Sequence, residues 1–153
     1  MKILTTGAIC VLLNVCYLHS SAQNLPVNEP GESKPRLFAD MPEKMHVHIS
    51  DLESLLSLPV GTNVNTFLSR EFHFQGTIVS VSDVASTKVK SVVIKSINKK
   101  GATFNFTRII KADGTIKYLG RIISFTNSDA FELVKENDQY ILQKKNLNDI
   151  MTE

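Results

Sequence analysis

Thr103-Phe104-Asn105-Phe106-Thr107-Arg108-Ile109-Ile110-Lys111, then Ala112-Asp113-Gly114, then Thr115-Ile116-Lys117-Tyr118-Leu119-Gly120-Arg121-Ile122: this stretch decides the fold. Two runs of β-branched and aromatic residues flank a turn, the pattern of a hairpin. A three-residue loop with Gly114 in the left-handed region sets Lys111 opposite Thr115 and Ile110 opposite Ile116. Arg108 then faces Tyr118, Phe106 faces Gly120 and Phe104 faces Ile122. Phe104, Phe106, Ile110, Ile116, Tyr118 and Ile122 fall on one side. Thr103, Asn105, Thr107, Lys111, Lys117 and Arg121 fall on the other. A two-residue Asp-Gly loop would oppose Ile110 with Lys117 and Phe106 with Arg121. It mixes core with solvent residues and is rejected. The Phe106 ring is expected to cover the gap over Gly120.

The same period of two extends in both directions. Phe72, Phe74, Gly76 and Ile78 alternate with Glu71, His73, Gln75 and Thr77. Val79 and Val81 then take over the apolar role, so a bulge or bend is expected between Gly76 and Val79. Residues 89–97 read as a second strand, and Asn98-Lys99-Lys100-Gly101 as a turn. A last hairpin runs through Phe131 and Leu133, turns at Asn137-Asp138 and returns through Tyr140 and Leu142. Residues 146–151 suit one helical turn, with Leu147, Ile150 and Met151 docking. Upstream, Ser50-Asp51-Leu52-Glu53 has the spacing of a capping box, and Leu52, Leu55 and Leu56 follow at helical spacing before Pro59. A helix over 51–58 is expected. Residues 60–69 suit a helical turn or an extended segment equally well. The expectation is a mainly β single domain (α+β at the margin). It is an antiparallel meander of about six strands, a bent sheet or small open barrel, with one short N-terminal helix.

The chain's beginning speaks of destination. Lys2 precedes a mainly apolar run, and Ser20-Ser21-Ala22 places small residues where a signal peptidase cuts, so residues 1–22 read as a secretory signal. Both cysteines, Cys10 and Cys16, lie within it. Cleavage after Ala22 leaves a mature chain without disulfides, cysteine nucleophiles or thiolate metal sites. Lipid attachment at Cys16 is the alternative fate, although Val15 is larger than such sites prefer. Residues 23–40, with Pro26, Pro30, Pro35 and Gly31, read as a flexible leader. Residues 41–153 form the domain, about 110 residues and enough for one core. No second apolar run is long enough to cross a membrane. The expected location is secreted or periplasmic.

Catalytic patterns are not found: no nucleophile elbow, no phosphate-binding glycine loop, no carboxylates paired in sequence. The reading is non-enzymatic and without cofactor. His46 and His48 would share one face of an extended segment, the weak candidates for a metal site, with His73 the third mature histidine. Asn105-Phe106-Thr107 matches a glycosylation sequon on the outward face. Charge gives the stronger lead. Residues 88–121 carry nine bases and one acid, Asp113, between two mildly acidic flanks. Lys111, Lys117 and Arg121 lie on the polar side of the hairpin, with Lys99 and Lys100 in a neighbouring turn. That basic face could meet an acidic glycan, a lipopolysaccharide head group or an acidic protein. Acidic flanks folding over it would neutralise it. The aromatics of this segment point inward, so stacking on nucleic acid is not expected.

The export signal, the lysine- and asparagine-rich strands and the cysteine-free mature chain resemble small exported proteins of Bacteroidota. The run from Phe74 to Leu142 is also similar in pattern to the prodomains of secreted zinc metalloproteases. The similarity rests on Phe74-x-Gly76 with Ile78 and Ser80, Ser91-Val92-Val93-Ile94, Gly120-x-Ile122-x-Ser124, Phe131-Glu132-Leu133 and Tyr140-x-Leu142. It covers about half the chain and consists mostly of strand alternation. It implies a β-rich chaperone and inhibitor of a protease. The mature chain lacks the cysteine that would cap a zinc, and no protease domain follows within this sequence. The implied role is therefore a stand-alone partner acting in trans. The function expected is an exported binding module for another secreted protein, using exposed strand edges for β-addition. The alternatives are a polyanion- or envelope-binding module and a small metal-binding protein through His46 and His48.

Overall fold

The computed structural model describes residues 34–84 and 88–152. The expected signal sequence, both cysteines and residues 23–33 of the expected leader lie outside them. In chain order the elements are β1 (Lys44–Val47), α1 (Ile49–Leu55), β2 (Asn63–Ser69), β3 (Phe72–Val84) and β4 (Val89–Ser96). They continue with β5 (Thr103–Ile110), β6 (Ile116–Ile123), β7 (Asp129–Glu136), β8 (Gln139–Asn146) and α2 (Leu147–Met151). All strand pairs are antiparallel, in the order β1-β8-β7-β6-β5-β4-β3-β2. From β2 to β8 this is a meander. β1 returns beside β8 and brings the sheet's two ends close, where the Ser69 hydroxyl lies 3.4 Å from Met45 Sδ. The result is a nearly closed barrel. No helix among the described residues is long and apolar enough to cross a membrane.

The mainly β meander stands, with eight strands rather than six. The two extra ones are β1 and β2. β1 is four residues long and buries only Met45 and Val47. β2 buries Val64, Leu68 and Ser69 but leaves Phe67 59% exposed, so its alternation does not read as polar against apolar. The β5–β6 register is as the sequence required: Phe104 faces Ile122, Phe106 faces Gly120, Arg108 faces Tyr118 and Ile110 faces Ile116. Gly114 has φ +82°, and the Lys111 amide donates to the Thr115 carbonyl at 2.8 Å. Leu133 and Phe104 close over Gly120, the cross-strand partner of Phe106; a Cβ there would meet Leu133 Cβ at 3.0 Å and Phe104 Cε2 at 3.6 Å. Asn137 and Asp138 both take positive φ in the β7–β8 turn.

Phenylalanine fills the interior. Phe38, Phe72, Phe74, Phe104, Phe106 and Phe131 are all essentially inaccessible. Their rings form a continuous column. Phe38 meets Phe131 at 5.0 Å and Phe72 at 6.0 Å, and Phe72 meets Phe74 at 6.0 Å. Phe74 meets Phe104 at 5.8 Å, then Phe106 follows at 6.1 Å, Tyr118 at 5.9 Å and Tyr140 at 5.5 Å. Most contacts are edge-on or tilted, the geometry the ring quadrupole favours, each contributing about 0.5–1.5 kcal/mol beyond burial.

Two pieces close the barrel's ends. At one end residues 34–41 form a strap that seats Phe38 on Phe72 and Phe131. The Asp129 carboxylate is buried and accepts from the backbone amides of Leu37 (2.6 Å) and Phe38 (2.8 Å). The Ser128 amide and Asn127 Nδ2 donate to the Pro35 carbonyl at 3.0 and 3.2 Å. Residues 34–40 are therefore part of the domain and not flexible leader. One buried aromatic and one buried acceptor outweigh a polar, proline-bearing composition. At the other end α1 lays Leu52 and Leu55 against the core. It starts two residues earlier than expected and ends at Leu55, with His48 at the N-cap and no side-chain cap. Ser50 and Glu53 form no capping box, because Glu53 is engaged elsewhere. Outside the barrel, α2 packs Leu147 and Ile150 on Ala130 and Ile123, while Met151 stays exposed.

Phe38→Ala should lower stability to urea by about 3–5 kcal/mol, the cost of emptying a full aromatic site. A loose leader would give no change.

Candidate functional site

Neighbouring strands differ in length, and that difference positions the candidate site. β3 has thirteen residues and β2 has seven. Their ladder runs from Ser69–Phe72 to Asn63–Thr77. It is extended only by Thr62 and Gly61, which exchange hydrogen bonds with Ile78 at 3.0 and 2.8 Å. The turn through Pro59, Val60 and Gly61, with Gly61 at φ +88°, then carries the chain away. Beyond it, residues 79–83 of β3 pair with β4 alone among the described residues. A bulge between Ile78 and Ser80 marks the upper limit of this open edge. Below the bulge the facing of β3 inverts. Val81 joins Val92 and Asp83 joins Lys90 on the inner row, the last pair closed by a 2.7 Å ion pair. The expected bulge is present, but Val79 and Val81 do not enter the core: they stay 47% and 42% exposed because the barrel wall has ended.

On the opposite flank, β6 pairs with β7 only at Arg121–Glu132 and Ile122–Phe131. Between them opens a groove of about 270 Å³, lined by Asn105, Thr107, Leu119, Gly120, Arg121, Glu132 and Leu133. The lower halves of β3, β4, β5 and β6 thus project as a four-stranded sheet past the rest of the barrel.

The inner row of this sheet changes from apolar to polar where α1 crosses it. Tyr118 donates to Glu53 Oε1 at 2.6 Å, and Arg108 Nη1 lies 3.5 Å from the same oxygen. Arg108 Nε is buried without a hydrogen-bond partner. Burial pushes the Tyr118 phenol up to about 12, and the hydrogen bond and charge of Glu53 add to the effect. The arrangement clamps α1 across the barrel end. The hairpin register already placed Arg108 and Tyr118 on the core side; nothing in the local sequence announced Glu53 as their partner.

The five basic residues of the sequence reading do not gather on one surface. Lys111 and Lys117 are exposed at the α1 end. Arg121 lies further up the outer face, its Nε and Nη2 at 3.0 and 2.9 Å from Glu132 Oε1. Lys99 and Lys100 occupy the turn at the strap end of β5, so eight residues of strand, roughly 25 Å, separate them from Lys111. Lys99 lies 3.6 Å from the Asp40 carboxylate and 6.0 Å above the Phe38 ring. His46 and His48 are exposed on β1 and at its end; His73 sits on the outer face, bonded to Asn65 at 2.6 Å and stacked near Phe67. Among the described residues no three His, Cys, Asp or Glu side chains are grouped to hold a metal. Asn105 of the sequon faces outward and lines the groove.

Comparison with family models, curated proteins and solved structures finds no match to this chain.

Tyr118 gives a spectroscopic readout of the clamp. Its phenolate absorbance should appear only near pH 12, and Glu53→Gln should move it part of the way down, since burial remains. The folded phenol holds its proton above the unfolded value of 10, so this group's contribution to stability is intact below pH 10. It should be lost as pH rises toward 12. Alkaline melts of the wild type and of Glu53→Gln measure the difference.

Proposed function

We propose that this is an exported, non-enzymatic binding module that captures an extended strand of another exported protein along residues 79–83 of β3. The open edge carries the reading. Among the described residues it is unpaired on one side; it is exposed and free of lysine and proline, the residues that commonly block such edges. The bulge and Asp83 bound the edge and would fix the register of an added strand. Backbone hydrogen bonds would supply affinity, and Val79, Val81 and nearby Val60, 55% exposed, would meet alternate side chains of the partner. The prodomain-like pattern supports a partner or inhibitor of a secreted protease as the form this takes. The apolar run and cleavage site of residues 1–22 support export.

The test is retention of proteins from the source cell's envelope and culture fractions on the chain beginning at Gln23, washed at low and high salt. A discrete protein should survive the high-salt wash. Val79→Lys with Val81→Lys should lose it, with an unchanged melting curve, because both positions are exposed and lysines along an edge strand oppose strand addition. Retention that is equal in the double variant, or lost at high salt, would remove the edge as the binding element.

A further inference from the structure

The α1 end of the projecting sheet carries a second surface, made of different side chains. Lys88, where the chain enters β4, lies beside the tip of the β5–β6 hairpin there, with the Ile110 amide donating to the Lys88 carbonyl at 3.1 Å. The register lines up Val89, Ile109 and Lys117 on the outer row of the sheet, and Ile110 with Ile116 on the inner row. Ile116 is 47% exposed, and Val89, Ile109 and Ile110 are half-buried. Lys88, Lys111 and Lys117 surround these aliphatic side chains and, among the described residues, form no ion pair. Of the acids at this end, Asp83 is neutralised by Lys90 at 2.7 Å, and Asp113 is turned back into its own loop beside Lys111, where it accepts from the Thr115 amide at 2.9 Å and hydroxyl at 2.7 Å.

We infer that this end docks on an anionic lipid surface. Three lysines outside any ion pair among the described residues complement a negatively charged head-group layer, and aliphatic side chains between them require an apolar layer just beneath it. A soluble polyanion would satisfy the lysines and leave the isoleucines in water; a bilayer satisfies both. The inference does not rest on strand capture, which uses the β3 edge and not the tips.

The measurement is co-sedimentation of the chain beginning at Gln23, which lacks Cys16, with two kinds of vesicle: phosphatidylcholine alone, and phosphatidylcholine with about one third phosphatidylglycerol. Binding is expected on the anionic vesicles only and should weaken as salt rises. Removing three attractive charges at about fivefold each gives roughly 100-fold, so reversing Lys88, Lys111 and Lys117 to Glu should reduce it by at least that factor. Ile116→Ser, with charge unchanged, should reduce it roughly tenfold. If triple reversal lowers the melting temperature, the triple Lys→Gln variant takes its place with the same direction expected. Equal binding to both vesicles, binding to neither, indifference to the lysines, or retention on heparin without vesicle binding would each overturn the inference. Vesicle binding is measured without any other protein, and capture is scored on the Val79 and Val81 variants, which leave the lysines in place, so failure of either reading leaves the other standing.

Discussion

A single column of rings, from Phe38 through Phe131, Phe72, Phe74, Phe104, Phe106 and Tyr118 to Tyr140, is the constraint on which the barrel depends. The described residues have neither tryptophan nor cysteine to assist it. The column draws residues from the strap, from β3, β5, β6, β7 and β8, so each of those elements is fixed by contact with at least one other. Gly76 and Gly120 serve the same packing. A Cβ at Gly76 would meet the Lys95 carbonyl at 2.7 Å and Ile94 Cγ2 at 2.8 Å, and one at Gly120 would press on Leu133. Large rings on some strands require missing side chains on others if the interior is to reach its native density.

The end closures follow from that column. Phe38 is its first ring, and a ring arriving on an irregular strap brings backbone amides into the interior that have no ladder to join. Asp129 satisfies two of them with one carboxylate. At the other end the column finishes in two tyrosines, whose hydroxyls require polar company. Glu53 on α1 supplies it for Tyr118 and draws Arg108 into the same cluster. Both closures trade a purely apolar core for a few satisfied polar contacts that specify where the strap and the helix sit.

Legibility in the sequence divided along physical lines. The β5–β6 hairpin was readable because both strands are half-buried and Gly114 admits only one loop geometry that keeps the rings together. The strap was not: Phe38 is one apolar residue in a polar, proline-bearing context, and its partner Asp129 lies ninety-one residues away. Glu53 was misassigned for a similar reason, since a local cap and a distant phenol compete for one carboxylate and sequence displays only the local option. β2 hid because its solvent face carries Phe67. The basic segment misled through topology. In a meander of eight-residue strands, consecutive turns alternate between the two ends, so charges adjacent in sequence are dealt to opposite poles of the barrel.

The candidate surfaces were legible only in part, because they arise from strand lengths and not from residue types. β3 runs on after β2 has ended, and β6 leaves β7 after two residue pairs. Those two mismatches together produce the open β3 edge, the groove beside β6 and the exposed tip of the β5–β6 hairpin between them. A barrel closed along its full height would bury these backbone groups and valines in its own ladder, and its stability would gain accordingly. Here the aromatic column ends at Tyr118 and Tyr140, level with α1, and the sheet below that layer holds few core contacts. Its side chains are therefore under little obligation to the fold. Substitutions there should have a small effect on stability, whereas the same changes within the column would act on stability first. This separation gives the projecting sheet the character of a working surface: it is anchored by a rigid body, yet the identity of its edge and tip residues is not dictated by the packing that holds that body together.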